Sequence, residues 1–231
     1  MASRRRNGNT ESVDNYLKAI LALGGQEENR VAITALAEHL AVAPASVTNM
    51  LQKLSAAQSP LVRYERHRGV QLSKSGRKRA LEVLRHHRLI ETFLYRVLDY
   101  PLEEVHAEAE RLEHFISERF EERIAAKLGH PTIDPHGHSI PTLDGEIAVT
   151  DSMLLADVGC VGIFRIHSVS DHDVRQVRWM EARGMTPGAR LRVRKIPSAA
   201  GFDLSIGRSG KPFLLSRDVA EQVRIVNLRQ S

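Results

Sequence analysis

Apolar residues recur at spacings of three and four through the first half of this chain and give way to alternating patterns in the second. Val13, Leu17, Ile20 and Leu21 form one stripe, and Gly24-Gly25 supplies a stop, so a helix is expected over residues 11–23. A short second helix is predicted over residues 34–40, with Thr34 placed to cap it. After Ala41-Val42-Ala43, Pro44 suits the first turn of a third helix, where its missing N–H is not needed. Val47, Met50, Leu51 and Leu54 then face a core, which leaves Ala45, Ser46, Thr48, Asn49, Gln52 and Lys53 outside. Residues 61–65 and 69–73 alternate like strands around His67-Arg68-Gly69, a hairpin behind the third helix. Helical spacing returns over residues 75–98, and Pro101 opens a further helix expected to run to Leu128, with Leu102, Val105, Ala109, Leu112, Ile116 and Phe120 on its stripe. Beyond Glu146 short β-prone pieces at 162–166, 190–194 and 223–226, separated by glycine and proline, suit a small barrel.

A helix-turn-helix followed by a hairpin reads as a winged helix-turn-helix. Small and polar groups on its exposed helix suit the major groove, since Asn bonds adenine edges and Ala or the Thr methyl contacts thymine methyls. Charge strengthens that reading. The net charge is +5 over 231 residues, but Arg63, Arg66, Arg68, Lys74, Arg77, Lys78, Arg79, Arg85 and Arg88 crowd one stretch, opposed only by Glu65 and Glu82. Such a run neutralises phosphates. Ala45, Ser46, Thr48, Asn49 and Lys53, with Arg66 and Arg68 beside the hairpin turn, are therefore the expected DNA contacts. The next segment is acidic, with Glu103, Glu104, Glu108, Glu110, Glu113, Glu118, Glu121 and Glu122.

Within these helices His87 and Glu91 are four apart, and His106, Glu110, Glu113 and His114 follow at three and four, so imidazoles and carboxylates converge on helix faces. That chemistry suits a divalent transition metal. Cys160 is the one cysteine, which rules out an intrachain disulfide and a thiolate cluster, so nitrogen and oxygen must hold the ion. His136-Gly137-His138 also invites a metal reading, but lies between Pro131, Pro135 and Pro141 and is read as a turn in a connector.

Residues 11–143 resemble the diphtheria toxin repressor family, which includes iron-dependent repressors and manganese transport regulators. The resemblance is carried by Asn15-Tyr16-Leu17-Lys18-Ala19-Ile20, the helix-turn-helix at 36–54, His87-Arg88-Leu89-Ile90-Glu91, and the run from His106 to His114. It implies one metal held by Glu110, Glu113 and His114 with a group from the first helix, here Asn15, and another held by His87, Glu91 and His106. Asn15 stands where the family usually has Met or Asp, and Lys18 stands where the manganese regulators have a second acid. Glu110 stands where iron-type members have Cys, a replacement that favours harder ions and hence Mn²⁺ over Fe²⁺. The C-terminal part resembles the SH3-like domain of iron-type members, most recognisably at Gly184-Met185-Thr186-Pro187-Gly188, and the resemblance places Asp173 and Gln176 where that domain reaches the second metal. Trp179 and Cys160 are expected to pack in this barrel.

The expected fold is mainly α with α+β parts: a basic tail at 1–10, a winged helix-turn-helix at 11–74, a helical dimerisation and metal-binding domain at 75–145 and a small SH3-like β-barrel at 146–231. The expected function is a metal-dependent repressor of metal-uptake genes that binds a palindromic double-stranded DNA operator as a homodimer. Without an apolar run long enough to span a bilayer, or a secretory signal at the N-terminus, a cytoplasmic place is expected. Two other classes fit less well. A winged-helix regulator could sense an organic ligand, with the His and Glu faces structural, and a His/Glu metalloenzyme lacks support from any phosphate loop, Gly-x-Ser-x-Gly elbow or His-Glu-x-x-His.

Overall fold

The structure is a computed structural model and describes residues 3–25, 29–194, 201–207 and 210–228, with side chains described from residue 10 onward. The chain forms two compact units, one of residues 1–86 with 113–116 and 141–146, the other of 87–112, 117–140 and 147–231.

In the first unit α1 spans Ser3–Gly24. It begins well before the predicted start, because no proline interrupts the polar run ahead of Glu11 and arginine is a good helix former. The basic tail expected at 1–10 is therefore helical from Ser3, and Met1 and Ala2 lie outside the described residues. α2 is Ile33–His39 and α3 is Pro44–Ser55, with Pro44 in the first turn as predicted. Thr34 does not cap α2: Ala32 holds the cap position, without a side-chain bond, and Thr34 falls inside the helix. Leu17, Leu36, Val47, Leu51 and Val70 are fully buried in one cluster. Burial of each such side chain contributes about 1.5–3 kcal/mol. Strands β1 (Val62–Glu65) and β2 (Gly69–Leu72) pair antiparallel from Val62 opposite Leu72 to Glu65 opposite Gly69. Val31 adds a third rung, exchanging both backbone hydrogen bonds with Val70 at 2.8 and 2.9 Å. Gly69 (φ +87°) is required here, since a Cβ would lie 2.4 Å from the Val31 carbonyl oxygen.

Helix α4 (Lys74–Val97) runs from the first unit into the second, which continues with α5 (Leu102–Leu112) and α6 (Glu118–Lys127). The single helix expected to reach Leu128 is thus two. Residues 113–115 form a turn, and Ser117 starts α6 afresh by accepting the Phe120 N–H at 3.3 Å, with Glu118 and Glu121 in the first turn favoured by the helix dipole. Leu89, Ile124, Ala125 and Ile140 pack together in this helical part.

The remainder is an antiparallel six-stranded sheet in the order β3-β8-β4-β5-β6-β7, curled in the SH3-like manner. Its strands are β3 (Met153–Leu154), β4 (Gly162–Val169), β5 (Arg190–Val193), β6 (Phe202–Ile206), β7 (Phe213–Leu215) and β8 (Val223–Asn227), with α7 (Val174–Glu181) after β4 and α8 (Arg217–Ala220) after β7. Strand alternation sends Leu191 and Val193 inward and Arg190 and Arg192 outward, and Leu155, Ile166, Phe202 and Leu204 fill the core. Trp179 packs against that core with Arg183 stacked 3.9 Å over its ring. Cys160 corrects the sequence reading: it is exposed, in the loop before β4, where no strand alternation turns it inward.

Candidate metal centre

The second unit assembles a cluster from four pieces of chain. One turn of α4 places His87 and Glu91 on one face, and His87 Nε2 lies 2.9 Å from Glu91 Oε1. His106 on α5 brings its Nδ1 within 3.3 Å of the same oxygen and 3.2 Å of His87 Nε2. Asp171, in the loop between β4 and α7, reaches His106 Nδ1 at 3.6 Å. In the connector, Asp134 Oδ1 accepts the backbone N–H of His136 and of His138, both at 2.9 Å, and the turn so formed holds His136 Nδ1 3.7 Å from Glu91 Oε1. The side chains of Glu91, Asp134 and His136 are wholly inaccessible to solvent, and that of His87 nearly so.

Electrostatics follow from this crowding. Burial pushes the Glu91 carboxyl up, but His87, His106 and His136 outweigh it and hold its pKa well below the usual carboxylate range. Asp171 is lowered in the same way, burial being overcome chiefly by His138 and His106. Burial pulls His136 down, and the Glu91 carboxylate more than reverses it. The group is therefore an ionised carboxylate core surrounded by imidazoles. Glu91 Oε2 and His136 Nδ1 are buried with no hydrogen-bond partner. Buried polar atoms are ordinarily satisfied, so lone pairs aimed into a His/carboxylate cluster fit a divalent cation.

The ligands expected from the barrel come out differently. Asp173 is exposed and caps α7, its Oδ1 accepting the N–H groups of Arg175 at 2.8 Å and Gln176 at 3.2 Å, and Gln176 sits behind it in the first turn. Asp171 is the acid brought to the cluster, with one ligand atom each from His87, Glu91, His106 and Asp171 mutually within 4.8 Å. Ser170-Asp171-His172-Asp173 did carry a signal: an Asp directly before the helix at Val174 is the cap, which frees the earlier one.

The other expected ligand set divides. Glu110 is counted with the second unit, 3.7 Å from His87 Nδ1. In the first unit Glu113 and His114 occupy the turn after α5, beside a cleft of about 280 Å³ that Asp14, Arg79 and His86 also line. Asn15 Oδ1 and both ring nitrogens of His114 are buried without a hydrogen-bond partner, as a ligand set requires. Lys18 Nζ, however, lies 2.6 Å from Glu113 Oε1, so an ammonium stands beside one of the expected ligands. His114 Nδ1 lies 3.4 Å from Asp14 Oδ2, whose partner oxygen accepts from Arg79 Nε at 2.6 Å. Burial raises the Asp14 carboxyl, and His114 and Arg79 together bring it below its ordinary value. A carboxyl so depressed contributes stability that is present above about pH 4 and lost as pH falls through the folded pKa. Asp14→Asn is expected to cost roughly 1–3 kcal/mol at pH 7 and much less at pH 3. Urea denaturation at the two pH values checks this, and an equal loss at both would overturn it.

On α3, Ala45, Ser46, Asn49, Gln52 and Lys53 are exposed, while the Thr48 hydroxyl donates to the Pro44 carbonyl at 3.0 Å and is tied to its own helix. Arg66 and Arg68 are exposed at the hairpin tip, Arg68 with Glu65 at 3.2 Å.

Comparison with known proteins agrees with this arrangement. Residues 9–70 match the family described as iron dependent repressor, N-terminal DNA binding domain, and residues 73–142 match iron dependent repressor, metal binding and dimerisation domain. The iron-dependent repressor IdeR of Mycobacterium tuberculosis is 30% identical over 201 residues, 81% of this chain and 85% of the relative. The HTH-type transcriptional regulator MntR of Bacillus subtilis is 34% identical over 108 residues, 47% of this chain and 73% of the relative. Among solved structures, a manganese-dependent transcriptional repressor in complex with manganese superposes with a TM-score of 0.85 at 34% identity, covering 94% of this chain and all of that one. ScaR with bound Zn²⁺ gives 0.77 at 31% identity, covering 94% and 99%. The chain belongs to the diphtheria toxin repressor family, and it is a metal-dependent DNA-binding transcriptional repressor and not an enzyme.

Proposed function

We propose that this protein represses metal-uptake genes in the cytoplasm when Mn²⁺, or secondarily Fe²⁺, occupies the cluster of His87, Glu91, His106 and Asp171. The observation that carries the reading is the approach of four ligand atoms from α4, α5 and the β4–α7 loop to within 4.8 Å of one another. Two imidazoles and two carboxylates, with Glu110 beside them and the cysteine exposed elsewhere, form a hard, oxygen-rich set that suits Mn²⁺ or Fe²⁺. The bound manganese of the superposed repressor supports the same preference. Asn15, Glu113 and His114 supply a second set, with Glu110 assigned to it by the family pattern and Lys18 competing for Glu113.

His87 and Glu91 would hold the ion on α4, His106 on α5 and Asp171 on the barrel, where it supplies a charge centre that no covalent bond provides. The ion favours DNA binding only as far as it prefers the DNA-competent arrangement, and operator DNA tightens metal binding by the same factor. Ala45, Ser46, Thr48, Asn49 and Lys53 on α3 read the major groove, while Arg66 and Arg68 on the wing hold phosphates. The exposed Tyr95, Leu112 and Phe120 on the helices of the second unit, with Leu98 just after α4, are the apolar surface a homodimer would cover.

The test is binding of chelator-stripped protein to DNA upstream of a metal-transporter gene under titration with Mn²⁺, Fe²⁺ and Zn²⁺. Binding is expected to rise with metal, with Mn²⁺ effective at free concentrations resembling those in a cell. Equal binding without metal would sink the reading and favour a regulator of organic-ligand type. In the same assay Arg66→Ala is expected to flatten the dependence of log affinity on log salt by about one per subunit, without changing the ranking of operators.

A further inference from the structure

The outer face of the barrel carries a row of cations that its own residues do not neutralise. The six strands hold Arg165, Arg190, Arg192 and Arg224 against a single carboxylate, Asp203. Arg165 on β4 pairs in register with Arg190 on β5. Their neighbours Phe164, Ile166 and Leu191 are buried while both arginines are exposed, so the two guanidinium groups leave the sheet on the same side. Residues directly opposite each other have Cβ atoms about 5 Å apart. Arg192 follows on that side two residues along β5, about 7 Å away by strand rise, and is exposed too. On the other flank of β4, Val226 of β8 pairs with Arg165, and exposed Arg224 stands two residues before it on the same side.

Like charges directly opposite each other destabilise a sheet, and little relieves them here. Among the described residues Arg165, Arg190 and Arg192 form no ion pair. Arg224 donates to the Ser152 hydroxyl at 2.9 Å and the Ser152 carbonyl at 2.7 Å, uncharged partners that leave its charge uncompensated. Asp203 lies on β6, two residues from the Ser205 that pairs with Arg192, and is therefore diagonal to the row. Neither packing nor pairing inside the barrel accounts for the arginines, so their fit is to an external anion. Guanidinium forks match phosphate oxygens. Protein partners need buried apolar anchors, and Ile163 is the one large apolar residue exposed on β4, β5 and β8. DNA held by the winged domain is meanwhile presented to the rest of the chain at high effective concentration.

We propose that Arg165, Arg190 and Arg192, with Arg224 at their border, form a second DNA-contacting surface that holds the phosphate backbone, separate from α3 and the wing. It rests on the DNA binding assigned to residues 9–70 and not on which ion triggers it. The barrel then adds affinity without reading sequence, because contacts to phosphate carry no base information.

The experiment measures operator affinity of the full-length protein over a series of salt concentrations, with whichever of Mn²⁺, Fe²⁺ and Zn²⁺ supports binding. The triple variant Arg165→Gln, Arg190→Gln, Arg192→Gln is expected to flatten log affinity against log salt by about two to three per subunit. At about 0.1 M salt it should bind roughly 10-fold or more weakly, with the ranking of operators unchanged. Arg190→Gln alone should lose about one from the slope, and Arg190→Lys, which keeps the charge, should retain the parent slope. Melting temperatures are expected to stay level or rise, since an opposed pair of like charges is removed. A slope that matches the parent's in the triple variant overturns the proposal. So does a fall in melting temperature in Arg190→Gln that accounts for its weaker binding, which would make the arginine a structural part of the sheet. A smaller particle mass by light scattering with the slope unchanged assigns the face to a second copy of this chain, and the DNA contact fails.

Discussion

Replacing Glu91 by alanine is expected to abolish metal binding at the His87 cluster and to destabilise the metal-free protein by about 3–5 kcal/mol. The two halves of that expectation have one cause. Glu91 is an ionised carboxylate with no exposed surface, and the imidazoles around it more than offset its burial. Its removal takes the shared carboxylate from His87, His106 and His136 and breaks a buried charged cluster. With metal the loss is larger. Loss of an outer-shell partner alone typically costs about 10–100-fold in metal affinity, and loss of a central carboxylate ligand costs more. Thermal melting with and without Mn²⁺ separates these effects. At free metal 100 times its dissociation constant the His87 cluster gives the parent about 2.7 kcal/mol by mass action, and the variant loses that share. A variant that keeps the parent's metal-induced rise in Tm would remove Glu91 from the site.

Gly137→Ala is expected to be among the most disruptive single-methyl additions in the second unit. Gly137 has φ +91°, and a Cβ there would lie 2.1 Å from the His167 carbonyl oxygen and 2.8 Å from Ser168 Cα, both backbone atoms of β4. Neither can swing aside as a flexible side chain would. Backbone strain and steric overlap together are expected to cost about 3 kcal/mol or more. Gly129 is the control, since its φ is +74° with nothing within 4 Å of a Cβ, so Gly129→Ala carries only the backbone term of about 1 kcal/mol. Urea midpoints of the two variants should differ by the steric part, and equal losses would show that the connector yields without resistance. Because Gly137 lies between His136 and His138, Gly137→Ala should also weaken metal binding, which Gly129→Ala should leave unchanged.

Most of the architecture was legible because short-range patterns carried it. The stripe of Val13, Leu17 and Ile20, the Pro44 start of α3 and the strands of the wing each follow from a spacing that local geometry enforces. His87 and Glu91 could be paired in advance for the same reason, being four apart on one continuous helix. The errors also have local causes. The break between α5 and α6 contains no glycine or proline, only a serine whose value as a cap depends on the chain turning there. Thr34 and Ala32 compete for one cap position, and what decided between them was where the chain enters the core, not which side chain caps better.

The amino-acid sequence alone determined the winged helix-turn-helix, the helical segment after it and the small barrel, and it limited any metal ligands to nitrogen and oxygen, since helix and strand periods, charge runs and a lone cysteine are properties of neighbouring residues. Only the tertiary structure decided that Asp171 rather than Asp173 meets His106, that Lys18 stands beside Glu113, and that His136 turns toward Glu91. Those pairs are separated by 65, 95 and 45 positions in the chain. At such separations no backbone period relates two side chains, and which ones meet is set by how the barrel loop, the turn after α5 and the connector pack against helices that local sequence had already formed.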